Sequence, residues 1–239
     1  MSYRPQQTSN NFFTGASLSN AVRMLIAWNV IVFLLQLILR SGGELVLRQY
    51  LFQGRMEMLF SLVPEFVRHG EVWRLVTYMF LHDGIFHIGL NMLALWMFGS
   101  ELEYLWGTKR FIGYYFFTGI GAGICTTLFT SHPTIGASGA VYGLLLAFGM
   151  TFPNRPILLY FILPIQAKYF VMIFGALEFL RAVFDQGSGI AHVAHLGGLV
   201  FGYVYIKGWP GRKAFQRWKR ERQKRKFKVL DFRDPDQRN

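Results

Sequence analysis

Four polar side chains interrupt strongly apolar runs of the sequence, and their types could together perform acyl-transfer chemistry. They are His87, Asn91, Ser138 and His195. A serine becomes a nucleophile when a base takes its proton, and histidine is the usual base for this task. Histidine and asparagine side chains, together with a backbone N–H, can donate hydrogen bonds to the oxyanion that forms. The set therefore contains a candidate nucleophile, a candidate base and two candidate oxyanion donors.

Each of these residues also has an ordinary structural interpretation. A serine in a membrane helix usually donates to a carbonyl one turn earlier, and an asparagine often joins two helices. His192 and His195 could form a metal pair, but no acidic residue accompanies them in the local sequence and no HExxH motif occurs. We therefore expect no metal and no cofactor. The nearest carboxylate along the chain, Asp185, lies at a turn, which favours a Ser–His dyad over a triad.

The composition indicates that these residues belong to a membrane protein. Of the 239 residues 52% are hydrophobic and only 16% are charged, whereas soluble domains carry about 25% charged residues. A membrane span needs about 20 mostly apolar residues. Six such segments are predicted, near 21–39, 86–104, 111–130, 135–152, 168–184 and 190–207. The fold class predicted from the sequence is an all-α polytopic membrane protein.

The segments outside the spans differ in charge and in proline content. Residues 1–20 are polar and predict a disordered N-terminal arm, and 40–85 form a long first loop with the mixed pattern of short surface helices. Three prolines within 153–167 predict an interfacial turn or extended segment. The tail, 208–239, carries twelve Lys/Arg against four Asp/Glu, a net charge of +8. It is more typical of binding to anionic lipid headgroups than to nucleic acid.

Small residues are spaced so that two of the predicted spans can approach closely. Gly198 and Gly202 have GxxxG spacing on the sixth span, and the fourth span contains Gly136, Gly139, Gly143 and Gly149. Glycines at this spacing let helix backbones come together in lipid. We therefore expect spans four and six to be in contact. The positive charges of the short loops also place both termini in the cytoplasm.

Several motifs, in order, resemble those of the rhomboid family of intramembrane serine proteases. The resemblance runs from about residue 62 to 207. The matching motifs are Trp73-Arg74, the HxxxN of His87 and Asn91, the GxSG of residues 136–139, and the HxxGxxxG of His195, Gly198 and Gly202. It implies a six-transmembrane-helix rhomboid bundle of the basic bacterial form over 21–207, in the bacterial cytoplasmic (inner) membrane.

The resemblance also implies a role for each matching residue. Ser138 would be the nucleophile and His195 the general base, and the oxyanion hole would consist of His87, Asn91 and the backbone N–H of Ser138. The supporting residues would be Tyr142 packed on the catalytic histidine, Gly136 for close backbone approach, Arg74 and Glu103 as structural anchors, and His82 at the aqueous mouth of the site.

Substrates and gating follow from the same resemblance. Transmembrane helices with helix-weakening residues would be the substrates. Span five, with Phe170, Phe174 and Phe179, would form a lateral gate, and 185–194 would form a cap. Two alternatives stay open: a catalytically silent rhomboid-fold protein that binds membrane clients, and an unrelated channel or transporter, which would show internal repeats. The sequence does not fix the oligomeric state.

Overall fold

The computed structural model describes residues 18–41, 55–159, 163–184 and 189–208. Helices account for most of this part of the chain. The elements in chain order are α1 (Asn20–Ser41), α2 (Arg55–Phe60), α3 (Pro64–Arg68), α4 (Arg74–Thr77), a 3-10 turn (Tyr78–Phe80), α5 (Ile85–Ala94), a π-helical turn (Leu95–Gly99), α6 (Ser100–Trp106), α7 (Thr108–Phe129), α8 (Ser138–Thr151), β1 (Pro156–Leu159), β2 (Leu163–Gln166), α9 (Ala167–Phe184) and α10 (Gly189–Gly208).

Three of the predicted spans have the length and hydropathy that crossing a membrane requires. They are Asn20–Leu39, Ile85–Trp106 and Thr108–Phe129. Helices also occupy the other three predicted positions, but α8 has only 14 residues, and α9 carries Lys168, Glu178 and Arg181. The protein is therefore a membrane-embedded, mainly helical chain, whereas the count of six spans stays a prediction.

The segment after α8 is a β-hairpin rather than an irregular turn. β1 pairs antiparallel with β2, with Pro156 opposite Gln166 and Leu159 opposite Leu163. The prolines at 153–167 predicted an interruption of helix, which is confirmed, but the all-α class did not include two paired strands. An isolated bridge between Leu62 and Thr134 links the first loop to the segment before α8.

Several sequence expectations concern residues outside the described part of the chain. These are most of the N-terminal arm over 1–20, residues 42–54 of the first loop, residues 185–188 of the proposed cap, and the basic tail from residue 209. The chain divides into two compact units, Met1–Tyr203 and Val204–Asn239. The first contains the catalytic candidates, and the described part of the second is the last turn of α10.

The core of the first unit is built where α7, α8 and α10 approach closely. A Cβ on Gly143 would lie 2.6 Å from the Cβ of Thr118 on α7, and a Cβ on Gly198 would overlap the carbonyl oxygen of Gly139. The Tyr114 hydroxyl donates to the carbonyl of Gly143 at 2.6 Å, which satisfies a buried polar group between the helices. The predicted contact of spans four and six is thus confirmed.

Two buried charged side chains tie loops and helix ends to this core. Glu103 accepts hydrogen bonds from the backbone N–H groups of Ala21 and Val22, at 3.0 and 3.1 Å, and thereby satisfies donors at the start of α1. Arg74, only 2% exposed, donates to Glu71 at 2.6 Å and to the carbonyl of Ser61 at 2.8 Å. The expectation that Glu103 and Arg74 are structural anchors stays a prediction, and it rests on these contacts.

Candidate active site

Ser138 is the first residue of α8, and this position determines what its groups can do. The first intrahelical hydrogen bond runs from Val141 N–H to the carbonyl of Ala137 at 3.0 Å. The N–H groups of residues 138–140 therefore have no acceptor within the helix. They lie at the positive end of the helix dipole, which favours a negative charge nearby. A serine here also has no helical carbonyl one turn earlier to which its hydroxyl could donate.

The hydroxyl of Ser138 contacts the imidazole of His195 on α10. Oγ lies 2.8 Å from Nε2 of His195, within hydrogen-bond distance. The two helices can approach this closely because Gly198 lies against the backbone of Gly139, with no side chain between them. Sequence analysis predicted these two residues together, and the structure brings them into contact.

The ring of Tyr142 determines the plane of the His195 imidazole. The two rings stack with centroids 4.2 Å apart and an interplanar angle of 12°. Tyr142 lies one turn after Ser138 on α8, so Ser138 and the ring that stacks on His195 are on one rigid element. The packing of Tyr142 on the histidine is therefore as expected.

His87 approaches the segment just before Ser138 from α5. Gly136 has φ = +117°, and a Cβ there would lie 2.7 Å from Nε2 of His87, so only glycine allows this approach. The backbone N–H of Asp83 lies 3.4 Å from Nδ1 of His87 and donates to it. Nδ1 then accepts, and the proton belongs on Nε2, which is the nitrogen that faces the loop before Ser138. His87 can thus offer a donor in this direction.

Asn91 and His82 contact His87 and its helix, and no direct contact with Ser138 is seen among the described residues. The amide of Asn91, 5% exposed, donates to the carbonyl of His87 at 2.9 Å, one turn earlier on α5. His82 is fully buried instead of lining an aqueous mouth, and its ring packs edge-on against that of His87, with centroids 5.0 Å apart. Burial lowers the pKa of His82 to about 4, and the nearby His87 acts in the same direction. His82 is therefore a neutral interior residue.

A carboxylate that sequence analysis missed lies beside the histidines. Glu178 of α9 is 6% exposed, and its Oε2 contacts Nδ1 of His192 and lies 3.1 Å from Nδ1 of His195. The local sequence offers these histidines no acidic partner, but the fold provides one, so the prediction that none accompanies them is wrong. One ligand atom from each of the three residues lies within 4.8 Å of the others, so among the described residues this cluster could hold a metal ion. The signal for it was a lone carboxylate within an apolar helix.

The family assignment agrees with this geometry. A family model, the Rhomboid domain, matches residues 69–209, which is more than half of the chain. The chain belongs to the rhomboid family. The matched range contains every predicted site residue from Arg74 to Gly202, and the basic tail lies almost wholly beyond it.

Curated relatives include bacterial and eukaryotic rhomboid proteins, and two of the three described below are named as proteases. The rhomboid chain is 34% identical over 195 residues to "Rhomboid protease GluP" of Bacillus subtilis, covering 80% of this chain and 36% of the relative. It is 32% identical to "Rhomboid protein 1, mitochondrial" of Saccharomyces cerevisiae, covering 60% and 43%. It is also 32% identical to "Rhomboid-like protease 2" of Toxoplasma gondii, covering 62% and 51%. The chain thus spans about a third to a half of the length of these relatives.

Proposed function

We propose that this rhomboid-family chain is an intramembrane serine protease with Ser138 as nucleophile and His195 as general base. The observation that carries the proposal is the 2.8 Å contact between Oγ of Ser138 and Nε2 of His195. A serine within hydrogen-bond reach of a histidine, and a third group that orients that histidine, is the arrangement of an activated nucleophile. Tyr142, stacked on the imidazole, provides orientation from one side.

The reaction follows from this contact. His195 Nε2 takes the hydroxyl proton while Oγ of Ser138 bonds to the carbonyl carbon of the scissile amide. The tetrahedral intermediate then collapses: the C–N bond breaks, and the proton moves from Nε2 to the leaving amine. A water molecule attacks the resulting ester with the same histidine as base, which releases the acid and restores the serine.

Donors for the oxyanion surround the start of α8. The backbone N–H of Ser138 has no intrahelical acceptor, and Nε2 of His87 faces Gly136, two residues before the nucleophile. Asn91 supports the carbonyl of His87 through its own hydrogen bond at 2.9 Å and contributes to the oxyanion hole on the same face of α5. Donors fixed before the reaction stabilise the developing charge without reorganisation.

The length of α8 supports a reaction centre below the membrane surface. Its 14 residues give a helix about 21 Å long, whereas the hydrocarbon core is about 30 Å thick. Ser138, at the end that follows an irregular segment, would then lie within the depth of the membrane. Irregular backbone at that depth must be buried in protein or line a water-filled cavity, and the hydrolysis step needs such a cavity.

Substrates of this site would be transmembrane helices of other proteins. A helical amide is already hydrogen-bonded and shielded, so the substrate must unwind locally before Ser138 can reach its carbonyl. Entry would be lateral, past α9, whose apolar side chains include the exposed Phe179 and the mutually stacked Phe170 and Phe174. The net charge of the tail suits contact with anionic lipid headgroups on the cytoplasmic side.

A covalent serine probe tests the proposal directly. The full chain, purified in detergent micelles, is expected to react with a fluorophosphonate, and mass spectrometry is expected to locate the adduct on Ser138. Ser138→Ala and His195→Ala should not be labelled under the same conditions. A wild-type protein that cleaves a transmembrane substrate but takes no label on Ser138 would reject the serine mechanism. Absence of both cleavage and label would favour a silent, client-binding protein.

Replacing His87 with alanine is expected to lower turnover of a transmembrane substrate by about 10²-fold, the scale of losing one oxyanion donor. The Michaelis constant should change little, because the donor acts mainly on the transition state. Turnover and the Michaelis constant are measured by gel-based cleavage in proteoliposomes. Ile88→Ala, on the same helix, is the matched control for lost packing. Equal turnover in the wild type and His87→Ala would remove His87 from the oxyanion hole.

A further inference from the structure

Glu178 is an uncommon residue for its place in the fold. It lies within α9, an 18-residue apolar helix, and only 6% of its surface is exposed. An ionised carboxylate in such surroundings is strongly destabilising unless hydrogen-bond donors and positive charge compensate it. The proposed reaction, as written for Ser138 and His195, gives Glu178 no task. Its contacts therefore indicate why the chain keeps a charge at this position.

Three side chains from two other helices converge on this carboxylate. Tyr142 of α8 donates its hydroxyl to Oε1 at 2.6 Å. His192 of α10 contacts Oε2 through Nδ1. His195, one turn further along α10, places Nδ1 at 3.1 Å from the same oxygen. Both carboxylate oxygens are thus occupied, and each donor belongs to a helix that also carries a residue of the proposed Ser–His pair.

We infer that Glu178 is a positioning residue for the catalytic histidine, so that Glu178, His195 and Ser138 act as a Ser–His–carboxylate triad. The inference rests on the proposed function. A carboxylate at Nδ1 keeps the proton on that nitrogen, which leaves Nε2 free to accept the proton of the Ser138 hydroxyl. It also stabilises the imidazolium that forms when the proton has been taken.

In the structure, the distance between His195 and Glu178 suits this triad, but the hydrogen bond between them is not formed. The Nδ1 atom of His195 lies within hydrogen-bond distance of Oε2, but the direction of its N–H is not aligned with that oxygen. Catalytic hydrogen bonds are often long or misaligned before substrate binds. Because Tyr142 both stacks on the His195 ring and holds Oε1 of Glu178, one residue sets the relative position of the other two. A small rotation of the imidazole in its own plane would align the bond.

The groups that face Glu178 favour a proton-sharing network over a metal site. His192 is a hydrogen-bond partner of Oε2 through Nδ1. Nε2 of His195 is already occupied by Ser138. Among the described residues, the other ionisable neighbours are His87 of α5, which interacts with His195 by charge, and Arg181 of α9, which interacts with Tyr142. A carboxylate between two imidazoles and a phenol matches the orienting shell of a catalytic histidine.

The test compares labelling kinetics of carboxylate variants at Ser138. A fluorophosphonate reacts with the full chain in detergent micelles, and its maximal rate and half-saturation concentration are measured separately. Glu178→Gln keeps the shape but removes the charge, and we expect the maximal rate to fall by about 10- to 100-fold, less than the about 10⁴-fold of a soluble triad because the bond is misaligned at rest. The half-saturation concentration should stay within about twofold.

Two further variants separate positioning from structure. Glu178→Asp keeps the charge and should regain part of the rate, with a melting temperature like that of Glu178→Gln. Glu101→Gln is the control for the same chemical change, because Glu101 is a carboxylate that pairs with Arg155 away from the histidines. Its labelling rate should equal that of the wild type. If Glu178→Gln does not fold, Tyr142→Phe keeps the stacked ring but frees Oε1, and we expect a rate about three- to tenfold lower.

The outcomes distinguish this inference from the proposed function. A wild type that labels on Ser138 together with a Glu178→Gln variant that labels as fast would reject the triad and leave the Ser–His pair intact. Equal slow rates in folded Glu178→Gln and Glu178→Asp would also reject it, because charge would then be irrelevant. A Glu178→Gln variant that labels faster than the wild type would also reject the triad, because Glu178 would then restrain α9 instead of positioning His195. Failure of the wild type to label on Ser138 would remove both proposals.

Discussion

Replacing Ser138 with alanine is expected to abolish cleavage of a transmembrane substrate, with turnover lower by about 10⁴-fold or more. The reason is that the proposed reaction passes through a bond to Oγ, and no other hydroxyl lies at 2.8 Å from Nε2 of His195 among the described residues. What remains would be water attack assisted by the oxyanion donors. The measurement is a gel assay of a single-span substrate with the protein in proteoliposomes, followed for hours.

The fold should survive this substitution, so lost activity can be assigned to chemistry. Ser138 begins α8 and fills little of the core, and Tyr142 still holds the His195 ring by stacking. The melting temperature in detergent should therefore stay within a few degrees of the wild type. Ser100→Ala is the matched control, because Ser100 is a buried serine, 3% exposed, on α6. Persistent turnover in Ser138→Ala would exclude Ser138 as the nucleophile.

Much of this site could be predicted from the sequence because its geometry is encoded locally. His87 and Asn91 share a helix face through their spacing of four residues, and helix geometry alone fixes that relation. The contact between Ser138 and His195 is distant in sequence, but the glycines that permit it have a recognisable spacing. Gly198 lies against Gly139, as the GxxxG pattern indicated.

Glu178 could not be assigned a task from its neighbours in the sequence. It is 14 residues from His192 along the chain, on another helix, and residues 185–188 between the two helices lie outside the described part. The face of α9 that meets α8 and α10 is determined by packing. The three charged residues of α9 did not indicate from the sequence which face this would be. The available signal was its depth within an apolar helix, which marks a residue as functional without naming its partner.

The interior position of His82 could not be predicted from the sequence for a different reason. Loop residues between helices are usually exposed, but Gln36 of α1 accepts a hydrogen bond from the backbone N–H of His82 at 3.0 Å, and this contact holds the loop inside the bundle. The register of β1 and β2 is likewise a tertiary property. Prolines interrupt a helix wherever they occur, whereas strand pairing depends on what the hairpin packs against.

Adding one methyl group at position 198 is expected to reduce turnover by about 10²-fold or more, the second largest effect that the structure predicts. A Cβ at Gly198 would overlap the carbonyl oxygen of Gly139 and lie 2.8 Å from its carbonyl carbon. Backbone cannot rotate away as a flexible side chain can, so α10 must shift from α8. A shift of about 1 Å would separate Nε2 of His195 from Oγ of Ser138 and misalign proton transfer.

Gly175→Ala is the control that isolates this close approach from the general effect of a Gly-to-Ala change. Gly175 lies on α9, where a Cβ would meet only Cδ1 of Leu199 at 3.4 Å, an ordinary contact. Alanine in a helix is otherwise favoured over glycine by about 1 kcal/mol, so Gly175→Ala should melt at the same or a higher temperature and cleave normally. Gly198→Ala should melt at a lower temperature and label slowly at Ser138. Because the two changes are chemically identical, equal activity in both variants would show that the contact of α8 with α10 does not hold the nucleophile and its base together.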